Sequence, residues 1–169
     1  IEERAIQISR VYKTAENKPD CFHAFIKSNP SSVSNCIIFC AEHEQGDQIG
    51  EKLNDINKKF TRIYDENANQ KDALDRLANK EIDAIVACIS FSQGIDIKSL
   101  DKIFLVASKT GSSDEGHRET IQRIGRCIRL DKENNPEKVA KVFDLVLKKD
   151  DEDIQAENNR KLWLTNISI

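Results

Sequence analysis

Apolar positions along the chain follow two rhythms. At the start, Ile1, Ala5, Ile8, Val11 and Tyr12 recur every three to four residues, which is the helical period. Pro19 breaks this run and can open a second helix that carries Phe22, Phe25 and Ile26 on one side, so residues 1–28 read as helical. Asn29-Pro30-Ser31-Ser32 reads as a turn. Residues 36–41 are a continuous apolar run, the mark of a strand covered on both faces. A helix follows over 43–58 with Ile49, Leu53 and Ile56, then a short strand over 60–64 and a helix over 69–79 with Ala73, Leu74 and Leu77. Ile82–Ile89 and Ile103–Ala107 read as two further buried strands, and Ser108–Gly116 as a polar loop. An arginine-bearing helix starts near Asp114 or Glu119, a last strand spans Val139–Leu147, and 150–164 is an acidic-to-apolar helical tail ending near Trp163.

Such alternation of strand and helix predicts an α/β fold, with a parallel sheet and helices on both of its faces. Ligands in such folds sit at the carboxyl ends of the strands. The loop after the 82–89 strand and the loop before the arginine helix both belong at that edge. A chain of 169 residues holds one well-buried domain and is too short for two ordinary ones. It starts at Ile1 rather than Met, and the expectation is a segment of a longer protein.

Composition changes the picture in three ways. At 38% hydrophobic and 33% charged residues, with no apolar run near the length of a bilayer span and no visible signal peptide, the chain is expected to be soluble and without a membrane partner. A net charge of −3 means that any grip on nucleic acid is local or shared with another domain. Five cysteines with no CxxC pair suit a reducing, cytoplasmic compartment, and with only three histidines no zinc site is expected. Cys36 and Cys40 flank the first strand pattern and read as core residues.

Candidate chemistry is concentrated in Gln122-Arg123-Ile124-Gly125-Arg126-Cys127-Ile128-Arg129. Its arginines stand at three-residue steps, which keeps them on neighbouring positions of a helix face. Gly125 leaves a low point between them where another surface can approach. Guanidinium groups stay charged and match phosphate oxygens with a rigid fork. An ordinary solvated basic helix face is the plain alternative for this segment alone. Two other segments precede it, Cys36-Ile37-Ile38-Phe39-Cys40 and Ser92-Gln93-Gly94-Ile95-Asp96-Ile97. In this order the three resemble motifs IV, V and VI of superfamily 2 helicases and translocases, in their second RecA-like lobe. QRIGRCIR is close to that family's Q-R-x-G-R-x-x-R, and QGID fits its x-G-x-D. The resemblance spans residues 34–147; its motif VI is highly specific, its motif V moderately so, and its motif IV weak by itself.

That resemblance implies a RecA-like three-layer α/β/α lobe over 34–149, with a helical lead-in over 1–33 and a helical tail over 150–169. It implies that Arg126 and Arg129 are arginine fingers reaching ATP held on the first lobe. An arginine supplied in this way can be worth roughly 10³–10⁵ in rate. Gln122 would bond the γ-phosphate or the attacking water. Arg123 would serve the nucleotide side or brace the lobe through an internal ion pair. Gly94 would turn the backbone, while Asp96 would accept from a ribose hydroxyl or hold an arginine in place. Ser90 and Ser92, and the stretch from Cys40 to His43, would hold the phosphates of a nucleic-acid strand without reading sequence. Ala87-Cys88 stands where the family often has threonine, which removes one expected phosphate contact. Methionine is absent, although many members carry one between the positions of Ser90 and Phe91.

What is missing is equally informative. A phosphate-binding loop reads G-x-x-x-x-G-K-S/T. Gly46–Gly50 followed by Glu51 does not qualify, nor does Ser108-Lys109-Thr110-Gly111. No D-E-x-D or D-E-x-H segment is there to hold Mg²⁺. ATP and Mg²⁺ are therefore expected on an N-terminal RecA-like lobe of the same polypeptide, and the chain by itself is expected to hydrolyse ATP negligibly. The expected partner is DNA, with RNA as the alternative, because DEAD-box RNA helicases usually have glycine where this chain has Ile128. Two other readings fit the residues less well. One is a non-catalytic nucleotide- or phosphate-binding regulatory module, and the other a degenerate interaction scaffold, for which the spaced arginines would have no use.

Overall fold

A computed structural model describes residues 15–64, 69–88, 100–107, 125 and 139–145. The helical runs expected over 1–14 and 150–169, the loop over 108–116 and most of the arginine helix lie outside the described residues. Helix α1 (Lys18–Ser28) begins where Pro19 can occupy the first turn without losing a hydrogen bond. A short 3-10 turn, Pro30–Ser32, follows and is closed by Ser32, whose hydroxyl donates to the Asn29 carbonyl at 2.6 Å. Then come β1 (Cys36–Cys40), α2 (His43–Asp55), β2 (Phe60–Ile63), α3 (Gln70–Ala78), β3 (Ala84–Cys88), β4 (Lys102–Leu105) and β5 (Lys141–Asp144).

Both helices that return to the sheet stop within two residues of their last core residue, for the same local reason. After α2, Asn57 takes a left-handed φ of 56°, and the Lys58 and Asn57 amides donate back to the carbonyls of Leu53 and Asn54. After α3, Lys80 does the same at φ 61°, with the Glu81 and Lys80 amides bonding the carbonyls of Arg76 and Leu77. This double bond pattern satisfies the carbonyls that a helix end leaves open. It ends α2 at Asp55, short of the 58 expected from apolar spacing alone. At the other end of α3 the Asn69 side chain accepts from the Asp72 amide at 3.2 Å, an N-cap.

The five strands form one parallel sheet in the order β2-β3-β1-β4-β5. Alternation along β1 divides the core in two. Cys36, Ile38 and Cys40 join Ala84, Val86 and Phe104 beneath Phe22 and Ile26 of α1 and Ile49 and Leu53 of α2. Ile37 and Phe39 join Ile85, Ala87, Ile103 and Leu105 against Ala73 and Leu77 of α3. The expected three-layer α/β/α arrangement is therefore present, with α1 and α2 on one face and α3 on the other. On the α1 face, Phe22 meets Phe104 edge-on at 5.3 Å between ring centres, and Phe104 stacks on Phe143 at 4.5 Å. Aromatic pairs of this kind add about 0.5–1.5 kcal/mol each beyond the area they bury.

Helix α1 lies ahead of residue 34, and its Phe22 and Ile26 are fully buried against the sheet. The packed body starts at least as early as Lys18, because β1 and β4 would otherwise expose Ile38 and Phe104. The strands are also shorter than their apolar runs. Val106 and Ala107 leave β4 and both donate to the Phe39 carbonyl, at 3.0 and 3.1 Å.

Candidate functional site

The strand order reverses around β1. From β1 the chain passes through α2 to β2 on one side, and from β4 it continues to β5 on the other. In open parallel sheets the crevice at such a reversal, outside the carboxyl ends, is where ligands sit. Those ends lie side by side: Cys40 is level with Cys88 of β3, and Phe39 with Leu105 of β4.

The turn leaving β1 is the part of this edge that is described in full. The Ala41 amide donates to Oε1 of Gln45 at 2.8 Å, and Gln45 is nearly fully buried. This bond folds the chain sharply from β1 into α2, so the first turn of a 13-residue helix opens at the edge. The helix dipole makes such a terminus favourable for an anionic group. His43 is exposed there and stacks on Tyr64, which follows β2, with 4.6 Å between ring centres and 15° between planes. The Tyr64 hydroxyl donates to Asp47 Oδ1 at 2.9 Å, and Arg62 Nε lies 3.0 Å from the same oxygen. Burial, followed by the bond to Asp47, pushes the Tyr64 phenol above its ordinary range, so it remains a donor. Gly46 makes the arrangement possible: a Cβ there would stand 2.5 to 2.8 Å from the Tyr64 ring and hydroxyl.

The expected site residues divide sharply. Cys40 is fully buried and burial raises its thiol far above the ordinary range, so it belongs to the core and offers no surface to a nucleic acid. The candidate surface at this turn therefore begins after it and includes His43. Gly125 is helical and exposed, with open space where a Cβ would stand. Gln122, Arg123, Arg126, Arg129, Ser90, Ser92, Gly94 and Asp96 lie outside the described residues. In the chain, Ser90–Asp96 come just after the carboxyl-edge residue Cys88, and Gln122–Arg129 come after Ala107 with residues 108–121 between.

Residues 17–131 match the model of the helicase conserved C-terminal domain. The chain belongs to that family. Its matched span opens one residue before α1 and runs through both segments that carry QGID and QRIGRCIR. No curated protein sequence gives a significant match. Among solved structures, the helicase domain of Pyrococcus furiosus Hef is 22% identical, with a TM-score of 0.58, and the alignment covers 85% of this chain and 28% of that one. The C-terminal domain of the DEAD-box protein Dbp5 is 16% identical with a TM-score of 0.65, covering 92% of this chain and 82% of that one. Dbp5 of S. cerevisiae bound to RNA and ADP BeF3 is 17% identical with a TM-score of 0.59, covering 86% and 34%. At these identities the likeness establishes the fold, that of a RecA-like helicase C-terminal lobe. The chain spans 28% of the Hef chain and 44% of the C-terminal part of the Fun30 ATPase domain, which it also resembles, so it corresponds to a minor part of each.

Sequence reasoning missed several residues that shape this edge of the helicase lobe. Gln45 caps the turn, Asp47 and Tyr64 brace His43, and Lys18 is buried with its Nζ donating to the Val106 carbonyl at 2.9 Å. Gly46 and Gly50, one helical turn apart, were the available signal. Gly46 makes room for Tyr64, and Gly50 for Phe60 and Arg62 of β2.

Proposed function

We propose that the chain is the second motor lobe of an ATP-dependent nucleic-acid helicase or translocase. ATP and Mg²⁺ bind mainly on an N-terminal RecA-like lobe of the same polypeptide. Arg126 and Arg129 reach across to the ATP phosphates, and Gln122 bonds the γ-phosphate or the attacking water. Asp96, with Gly94 beside it and Arg123 nearby, serves the nucleotide side. Ser90, Ser92 and the turn ending at His43 hold the phosphate backbone. ATP binding draws the lobes together and hydrolysis releases them, which moves this lobe along the strand.

One observation carries the reading: β1, β3 and β4 end side by side at the reversal of strand order. Each is followed in the chain by one of the three segments the chemistry needs. Family membership supports it, and so does the likeness to a Dbp5 structure bound to RNA and ADP BeF3. We favour DNA over RNA because Ile128 replaces the glycine usual in DEAD-box proteins. An acidic lobe of net charge −3 suits a strand shared between two lobes rather than gripped by one.

The test is the ATPase of the full-length parent with single-stranded and duplex DNA and RNA, beside the isolated chain. The reading expects stimulation in the parent, greater with DNA, and negligible turnover by the chain alone. Robust turnover by the isolated chain, or a parent indifferent to every nucleic acid, would contradict it.

A further inference from the structure

At the opposite end of the sheet from the candidate site, a cleft of about 520 Å³ crosses the start of β2. Asn54, Lys59, Phe60, Arg62, Arg76 and Ile82 line it. Phe60 and Arg62 belong to the α2 face of the sheet, where they lie against Gly50. Arg76 comes from α3 on the other face, and its Nη1 donates to Thr61 Oγ1 at 3.2 Å. Walls drawn from both faces, with Lys58, Lys59, Glu81 and Ile82 just ahead of β2 and β3, set the cleft around the amino end of the edge strand β2.

Among the described residues no strand lies beyond β2 in the sheet order. Main-chain groups alternate in direction along a strand. The Lys59 carbonyl accepts from the amides of Asp83 and Ala84, so Lys59 and Thr61 turn toward β3, while Phe60 and Arg62 turn their amides and carbonyls outward. An outer strand of this kind is a template for another extended chain unless it is blocked. β2 holds no proline to block it, and its one charged residue, Arg62, is ion-paired to Asp47 on the α2 face.

Charge around this edge is opposite to that of the chain. Four cations line the cleft, Lys58, Lys59, Arg62 and Arg76, against one carboxylate, Glu81. Lys58 is committed to Asp83 at 3.3 Å. Arg62 meets Asp47 through Nε at 3.0 Å, and Arg76 meets Glu81 through Nε at 3.7 Å, a long contact. A guanidinium has five N–H donors, so both retain capacity for a further acceptor. Lys59 is exposed, and its bonds among the described residues are main-chain ones: its amide donates to Asp83 at 3.0 Å and its carbonyl accepts from the Asp83 and Ala84 amides. Phe60, with Arg62 over its ring at 4.9 Å, and the buried Ile82 supply apolar surface between the charges.

We propose that the outer edge of β2 and the cleft across it form a docking site for an acidic, extended peptide segment. The segment adds to the sheet as a strand beside β2 and sets carboxylates against Lys59, Arg62 and Arg76. Strand addition of this type takes affinity from main-chain bonds and specificity from alternate side chains. The outward main-chain groups of β2 and the apolar surface of Phe60 and Ile82 favour a peptide over a nucleic-acid backbone, which has no use for either. The cleft lies at the start of β2, a strand's length, roughly 10 Å, from the carboxyl edge. The strand shares Arg62 with the Asp47–Tyr64 pair that braces His43, so occupancy at this edge and the candidate nucleic-acid surface are neighbours through that residue.

The test uses the full 169-residue chain. Its probe is an acetylated peptide of alternating Glu and Val, about eight residues long to overrun the strand. Fluorescence anisotropy would measure binding, and amide exchange would be followed at Phe60 and Arg62. Binding should occur, slow exchange at both amides, and weaken about tenfold or more in Lys59→Glu/Arg76→Glu. A second probe of the same charge, N-methylated on alternate residues, should bind far more weakly, and this control does not depend on a variant that folds. Equal binding of the N-methylated peptide would mean charge attraction without strand addition and would overturn the proposal. So would unprotected Phe60 and Arg62 amides, absence of binding, or an oligo-dT strand that outcompetes the peptide at the cleft.

Discussion

Two positions show how single residues set this lobe, and each gives a prediction of opposite sign. Lys80 sits at φ 61°, where a Cβ is unfavourable and glycine is not. Lys80→Gly should raise stability by about 0.5–1 kcal/mol, read as a higher urea midpoint with unchanged slope. Gly46 has the reverse logic. Alanine would gain about 1 kcal/mol of helix propensity, yet its Cβ would fall within 2.5 to 2.8 Å of Tyr64. Overpacking typically costs about 1–3 kcal/mol, so Gly46→Ala should destabilise the lobe. In a Tyr64→Ala background the same change should become stabilising, and a double-mutant cycle that shows no such reversal would refute the contact. Neither residue was legible in the sequence. A lysine in a left-handed cap carries no signature, and a helix glycine says that room is needed without saying for what.

At the scale of elements, the apolar rhythm located each described helix and strand, because burial on a fixed period is what the rhythm records. It did not locate their ends, which depend on caps at Asn57, Asn69 and Lys80. Nor did it show how firmly α1 is bound to α2. Their outer faces are joined by ion pairs: Lys52 lies 2.8 Å from Asp20, while Lys27 and His23 lie 3.1 and 2.7 Å from Asp55. The Lys52 hydrogen bond holds Asp20 below its ordinary value of 3.8, and the Lys27 hydrogen bond, followed by that of His23, does the same for Asp55. A carboxyl group with a lowered native pKa contributes stability above its unfolded pKa and loses it as pH falls through the native one. The contribution should thus be intact above pH 3.8 and fade below it. Asp20→Asn/Asp55→Asn should flatten the acid limb of stability measured from about pH 6 to about pH 3. An unchanged acid limb would mean that these exposed pairs contribute nothing measurable.

For the whole molecule, the fold class was readable because strand–helix alternation admits few architectures. The family was readable because QRIGRCIR places chemistry, not packing, in the sequence. The described edge adds what a motif cannot: Cys40 is core, and the turn after it is held by Gln45 and presents His43 against Tyr64. No helix among the described residues is long and apolar enough to cross a membrane. The central claim is that arginines of this lobe act on ATP held elsewhere. The most direct measurement is nucleic-acid-stimulated ATP turnover by the full-length parent and its Arg126→Ala variant, with ATP affinity measured in both. Turnover should fall by roughly 10³-fold or more while ATP binding is largely kept. A variant that turns over like the parent, or one that loses turnover only because it no longer binds ATP, would contradict the account.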